Sequence, residues 1–92
     1  MRIVEEYTVL NTDLIEIKSA VYIGDFAIRL FFTDGFVRLV DFKPFLESSL
    51  HPSIKKYMDE NLFRGFTLLD GNLNWNDYDL IFPLEDLYTG NL

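Results

Sequence analysis

Two Asp-Gly dipeptides, Asp34-Gly35 and Asp70-Gly71, each lie between apolar, β-rich runs, and nothing else in the 92 residues constrains the fold as tightly. A two-residue loop of this type favours a hairpin, because glycine takes positive φ at little steric cost and the resulting turn matches the twist of the strands it joins. Around the first dipeptide, Phe26 to Thr33 and Phe36 to Asp41 form the arms. Setting Thr33 against Phe36 pairs Phe32 with Val37, Phe31 with Arg38, Leu30 with Leu39 and Arg29 with Val40. Ile28, Leu30, Phe32, Val37 and Leu39 then share one face. Upstream, Gly24-Asp25 offers another two-residue turn, and pairing Ile23 with Phe26 brings Ile17, Ser19, Val21 and Ile23 to that same face. Two turns read separately arrive at one apolar surface, so the sequence predicts a three-stranded antiparallel meander. The opposite face carries Glu16, Lys18, Ala20, Tyr22, Ala27, Arg29, Phe31, Phe36, Arg38 and Val40, a mixed set that predicts partial solvation.

After Asp41 the pattern changes. Pro44 and Pro52 interrupt strand pairing, Ile54, Tyr57 and Met58 recur at helical spacing, and Asn61 supplies a stop. These signals predict a helical turn from Pro44 to Glu47 and a short helix from about Pro52 to Glu60, the latter laying its apolar stripe over the core face of the sheet. At the second Asp-Gly, Leu69 opposite Asn72 sets Leu68 against Leu73 and Phe66 against Trp75, so Phe66, Leu68, Leu73 and Trp75 line one face. Pro83 suits the first turn of a last helix that points Leu84, Leu87 and Tyr88 inward. The first dozen residues, with Tyr7, Val9 and Leu10, read as an added edge strand. The expected class is α+β: an antiparallel sheet built from a three-stranded meander plus a C-terminal hairpin, covered on one face by two or three short helices, in a single domain over residues 1–92.

Charge and composition exclude some functions. Fifteen acids against eight bases give a net charge of −7, and residues 65–92 hold Asp70, Asp77, Asp79, Glu85 and Asp86 without a base. Nucleic-acid affinity rests on Lys and Arg neutralising phosphates, so this balance argues against direct DNA or RNA binding. The absence of cysteine rules out disulfides and thiolate metal sites and fits a reducing compartment. No apolar run approaches the roughly 20 residues that span a bilayer, and Glu5 and Glu6 stand where a secretory signal keeps an apolar stretch. A soluble cytoplasmic protein is expected. A domain of this size buries about 60–70% of its unfolded surface, which leaves modest stability and a use for a subunit partner such as a second copy.

The residues do not assemble a reaction centre. His51 is the one histidine, and Ser49 and Ser53 beside it form no nucleophile motif, so it reads as a surface or helix-start residue. Asp70, Asn72 and Asn74 match the first three ligand positions of a calcium loop, but Trp75 takes its glycine position and Ile81 its closing glutamate position. A hairpin turn is the reading that remains. The five glycines form no phosphate-cradling motif, and acid pairs such as Asp77 with Asp79 are what so acidic a chain contains by chance. No enzyme, cofactor or metal is expected. The mixed face of the meander is the candidate interaction surface: Lys18, Phe31 and Arg38 line up across three strands with Tyr22, Arg29 and Phe36 nearby, and aromatics and arginines are favoured interface anchors. It is covered by the N-terminal segment or another element of the chain, by another protein or a second copy, or by stacked single-stranded nucleic acid, the last opposed by the net charge. A small-ligand pocket near Trp75, Tyr57 and Tyr88 is a further reading, although such aromatics are more often core.

The order of Phe32-Thr33-Asp34-Gly35, Val40-Asp41, Asn61-Leu62-Phe63, Gly71, Trp75, Asp79-Leu80 and Leu87-Tyr88 resembles the bacterial domain-of-unknown-function family 2442 over residues 15 to 90. The resemblance implies a small α+β domain, joined in some members to a helix-turn-helix segment and in others encoded beside another short protein in arrangements suggestive of toxin-antitoxin pairs. It assigns no catalytic or binding residue. Family members often have Trp-Pro followed by a glycine where this chain has Trp75-Asn76-Asp77-Tyr78, which predicts a differently shaped loop. The combined expectation is a non-enzymatic protein-protein interaction module, with antitoxin-like or regulatory action beside a neighbouring small protein as the alternative that the resemblance adds.

Overall fold

In the computed structural model, which describes residues 15–92, the meander is present as β1 (Ile17–Gly24), β2 (Ala27–Phe32) and β3 (Val37–Asp41), an antiparallel sheet in the order β1-β2-β3. The second hairpin, β4 (Thr67–Leu69) and β5 (Asn72–Asn74), forms a separate two-stranded sheet. Ile17 N–H donates to the Gly71 carbonyl at 2.7 Å and ties the two sheets at one corner. Between them run α1 (Lys43–Ser48), α2 (Pro52–Lys55), a 3-10 helix (Lys56–Met58) and α3 (Glu60–Phe63), and α4 (Leu84–Thr89) follows β5. The architecture is α+β, as the turn pattern predicts. The edge strand read into the first dozen residues lies outside the described residues.

Both turns of the meander close one residue away from the expected registers. Between β1 and β2 the loop is Asp25-Phe26, at φ 51° and 66°, with Gly24 opposite Ala27. A phenylalanine with positive φ is uncommon, since Cβ crowds the following carbonyl at roughly 1–2 kcal/mol. Here the ring is buried against Phe63, with centroids 5.3 Å apart. Its N–H donates to the Tyr22 hydroxyl oxygen at 3.1 Å and its carbonyl accepts from Phe42 N–H at 2.9 Å. Packing and hydrogen bonding offset the strain. Between β2 and β3 the loop has three residues: the Phe32 carbonyl accepts from Gly35 N–H at 3.0 Å, Phe32 N–H donates to the Phe36 carbonyl at 2.8 Å, and only Gly35 has positive φ, 93°. This is a tight turn closed by a glycine bulge, fixed further by Asp34 Oδ1, which accepts from Phe36 N–H at 2.9 Å.

One extra loop residue turns β3 over, because side chains alternate with a period of two. Leu39 pairs with Arg29, Arg38 with Leu30 and Val40 with Ile28. Val40 is buried and Arg38 half-buried, whereas Val37 and Leu39, expected in the core, are 46% and 52% exposed. On β1, Ala20 and Tyr22 stand opposite Leu30 and Ile28 and pack on the core, while Ser19, Val21 and Ile23 are exposed. Ile17 keeps its core position because a bulge between Ile17 and Ser19 resets the alternation.

The core beneath the sheet is aromatic. Phe42 meets Phe63, Trp75 and Phe82 at centroid distances of 5.5, 5.8 and 5.2 Å, and Ile28, Leu30, Phe32, Leu46, Leu73 and Leu87 surround them, all buried. The Trp75 indole N–H donates to the Phe63 carbonyl at 2.8 Å, so its burial leaves no orphan donor. The helix read from Pro52 to Glu60 breaks at Asp59, whose carboxylate accepts from Asn61 N–H at 3.0 Å and caps α3. Asn61 therefore sits inside a helical turn instead of ending one. In the second hairpin Asp70 and Gly71 take φ 53° and 79°, and Leu69 pairs with Asn72 and Leu68 with Leu73, the register read from the sequence. The ladder stops at Thr67 and Asn74; Trp75 turns away to bridge Leu80, and Leu68, expected in the core, faces solvent. Last, α4 starts after Pro83, buries Leu87, half-buries Leu84 and Tyr88, and ends at Gly90 in the left-handed region, φ 76°.

Candidate interaction surface

The register of the meander creates an outer face on which apolar side chains meet solvent. Two rows cross it: Val21, Arg29 and Leu39, then Ser19, Phe31 and Val37. Directly opposed residues of such rows have Cβ atoms about 5 Å apart, so each row is a continuous surface. Val21 is 49% exposed, and Ile23, the extra residue of a second irregularity in β1, is 46% exposed; Phe31 is half-buried. Arg29 is exposed at the middle of the central strand and takes part in neither of the ion pairs found among the described residues, Lys43 with Asp25 and Lys56 with Asp79.

The six residues expected to form one surface divide between two sides. Arg29 and Phe31 lie on the outer face, and Lys18, exposed at the first bulge of β1, lies next to Ser19. Tyr22, Phe36 and Arg38 turn toward the core side. The Tyr22 hydroxyl donates to Glu60 and accepts from Phe26 N–H, and burial, then the bond to Glu60, pushes its pKa up. Phe36 packs 4.8 Å from Tyr88, and the Arg38 guanidinium lies 5.1 Å over Phe36 while its Nε donates to the Tyr88 carbonyl at 2.7 Å. The Tyr88 hydroxyl donates to Asp34 Oδ2 at 2.7 Å, a bond that holds the Asp34 carboxyl below its usual range and raises the tyrosine. These contacts fasten α4 to the β2–β3 loop. The exposed aliphatics Val21, Ile23, Val37 and Leu39 were missed from sequence because the two-residue turns placed them inside. Phe36 carried the one available signal: a third loop residue brings its ring, instead of Val37, to the core side.

A second cluster surrounds Tyr57 and Trp75. A half-open cleft of about 310 Å³ is lined by Lys56, Tyr57, Asn61, Leu62, Gly65, Trp75 and Asn76. It brings together Tyr57 and Trp75, two of the three aromatics expected near a pocket; Tyr88 is elsewhere, against Phe32 and Phe36. Beside the cleft Asp79 accepts from Lys56 Nζ at 2.7 Å and from the Tyr57 hydroxyl at 2.8 Å. The bond from Lys56, then that from Tyr57, lowers the Asp79 pKa, while burial, then the bond to Asp79, pushes Tyr57 up to about 12. One wall is the turn after Trp75, where Asn76, Asp77 and Tyr78 all have positive φ, at 50°, 56° and 71°. The buried Asn74 holds it by accepting from Tyr78 N–H at 2.8 Å, and the Trp75 carbonyl accepts from Asp79 N–H at 2.9 Å. Lys56 and Tyr57 are both held on Asp79, the tyrosine stays protonated near neutral pH, and the indole N–H is already spent on the Phe63 carbonyl.

His51 is exposed at the start of α2, its N–H donating to Ser49 Oγ at 3.3 Å. Among the described residues no group of three His, Asp or Glu side chains is placed to hold a metal ion, and no helix is long and apolar enough to cross a membrane. Residues 17–92 match the family described as Protein of unknown function (DUF2442), and the chain belongs to that family. No curated protein and no solved structure matches the chain.

Proposed function

We propose that this DUF2442 protein is a protein-protein interaction module, without catalysis of its own, that receives its partner on the outer face of the β1-β2-β3 sheet. The observation that carries this reading is the set of exposed aliphatic side chains Val21, Ile23, Val37 and Leu39 on a sheet whose other side is packed into the core. Three strands about 4.8 Å apart, paired over five or six residues rising about 3.3 Å each, present a face of roughly 250–300 Å². The face, of which Val21, Ile23, Phe31, Val37 and Leu39 form the apolar part around Arg29, approaches the size of the largest apolar patch on an ordinary monomer, a patch that is often functional. The cleft beside Asp79 supports an enzymatic reading less well, because its ionisable groups neutralise one another. Regulation together with a neighbouring small protein, the setting that the family resemblance implies, is one in which such a module operates.

The test is affinity capture from the cell of origin with the wild type and with Val37→Glu combined with Leu39→Glu. The variant is expected to keep its far-UV spectrum and melting cooperativity, since both side chains already face water, and to lose specific partners. Recovery of the same partners at the same yield would count against the outer face.

A further inference from the structure

We infer that the partner is a single amphipathic segment presenting a carboxylate at the centre of an apolar stripe, and not a second copy of this chain. The inference rests on the reading of the outer face as the docking surface. Arg29 is the third of six residues in β2, with Val21 opposite it on one side and Leu39 on the other. An occupant that covers Val21 and Leu39 therefore covers the guanidinium with them. Arginine stays charged at any physiological pH, so it cannot escape burial by losing its proton. Stripping its water without supplying an acceptor costs more than covering the neighbouring valine and leucine returns. Among the described residues Arg29 has no ion-pair partner, and a carboxylate matches its planar fork with two parallel hydrogen bonds. The acceptor is thus a requirement placed on the partner, in the middle of its apolar stripe.

A second copy does not meet that requirement. Face to face about a two-fold axis, the central arginines of the two copies approach each other, and the acid of β3, Asp41, stands opposite Ala27 at the strand's end and not at the centre of the face. Each chain also carries −7, and like net charges oppose association. The face of roughly 250–300 Å² is well short of the about 800 Å² per partner that a stable dimer of globular subunits uses. It suits one helix, about 10 Å across, lying over strands that together span about 14 Å. Nucleic acid fits less well, because Phe31, the ring in these two rows, is half-buried and the net charge of −7 opposes a phosphate backbone.

The experiment is selection of displayed peptides on the wild-type protein, with counter-selection on Val37→Glu combined with Leu39→Glu, and then titration of synthetic peptides. Recovered sequences are expected to carry Asp or Glu flanked by Leu, Ile, Val, Phe or Met, to bind at least about tenfold more weakly to Arg29→Glu, and to lose as much when their acid becomes an amide. Arg29→Lys should restore part of the affinity. Face-dependent peptides that lack an acid, or that ignore Arg29→Glu, overturn the carboxylate requirement and leave the docking face standing. Failure of the counter-selection to remove any binder overturns both. Sedimentation showing a dimer that Val37→Glu with Leu39→Glu dissociates, or tighter binding of a single-stranded oligonucleotide than of any peptide, replaces the proposed occupant.

Discussion

The turns at Asp34-Gly35 and Asp70-Gly71 start from the same dipeptide and close differently. At Asp70-Gly71 both residues take positive φ and two residues make the loop; at Asp34-Gly35 the glycine alone does, and Thr33 joins it. The surroundings account for the difference. Asp34 is engaged from both sides, by Phe36 N–H and by the Tyr88 hydroxyl, and the longer loop brings Phe36 and Arg38 under α4. Around Asp70 the backbone contact runs through its neighbour, the Gly71 carbonyl accepting from Ile17 N–H. An Asp-Gly pair therefore specifies where a chain reverses, while the packing of the strand beyond it decides how many residues make the reversal. At the first turn that decision selects which side of β3 meets the core, and with it the outer face.

The largest test of this contrast compares Leu30→Ala with Leu39→Ala in urea unfolding. A two-residue loop would make them buried cross-strand neighbours of similar importance. With the three-residue loop Leu30 is fully buried and Leu39 half in water, so Leu30→Ala should cost about 2–5 kcal/mol and Leu39→Ala under about 1 kcal/mol. Similar losses would break the contrast. Next come the glycines themselves. A Cβ at Gly35 meets open space and adds only the strain of φ 93°, whereas one at Gly71 would lie 2.6–2.7 Å from Glu16 side-chain carbons, Cβ included, at φ 79°. Gly35→Ala is expected to cost about 1–2 kcal/mol and Gly71→Ala about 1–3 kcal/mol more, again read from urea midpoints. The reverse ranking would assign the tighter surroundings to the wrong turn.

Two pH effects sharpen the same comparison, one at the Tyr57–Asp79 pair and one at the Asp34–Tyr88 pair. Tyr57 has its folded pKa raised to about 12 from 10, so its contribution to stability is complete below pH 10 and is lost as pH rises toward 12. Tyr57→Phe should flatten that part of the stability profile; an unchanged profile would deny that burial and the bond to Asp79 raise this hydroxyl. The smallest effect concerns Asp34, whose folded pKa is depressed by the Tyr88 hydroxyl. Its contribution is present above the unfolded value of 3.8 and is lost as pH falls through the lower folded value. Carboxyl NMR titration of Tyr88→Phe should show Asp34 moving up toward an ordinary aspartate; no movement would separate α4 from the loop.

The sequence was most legible where one residue type leaves a single low-energy choice. Both Asp-Gly positions, the second hairpin's register and the inward Leu87 of α4 could be read because glycine geometry and helical spacing settle them locally. Strand parity was not legible. It depends on Phe26 accepting positive φ in exchange for burial against Phe63, on the bulge after Ile17 and on Phe36 seeking Tyr88, all contacts between residues far apart in the chain. The Asp59 cap that splits the middle helix belongs with these, since an aspartate inside an apolar helical pattern also reads as a solvent-facing residue. For the interaction surface, Arg29 and Phe31 were found because their side of β2 survives the change of register, whereas Tyr22, Phe36 and Arg38 were lost to the inner side with the strands that carry them.

The most direct measurement is the relaxation of side-chain methyl groups by a soluble gadolinium chelate, read across the sheet by NMR. Val21, Val37 and Leu39 should be strongly broadened while Ile28, Leu30 and Val40 are spared, as expected for one face open to a partner and the other sealed. Protection of Leu39 equal to that of Leu30 would contradict an available outer face.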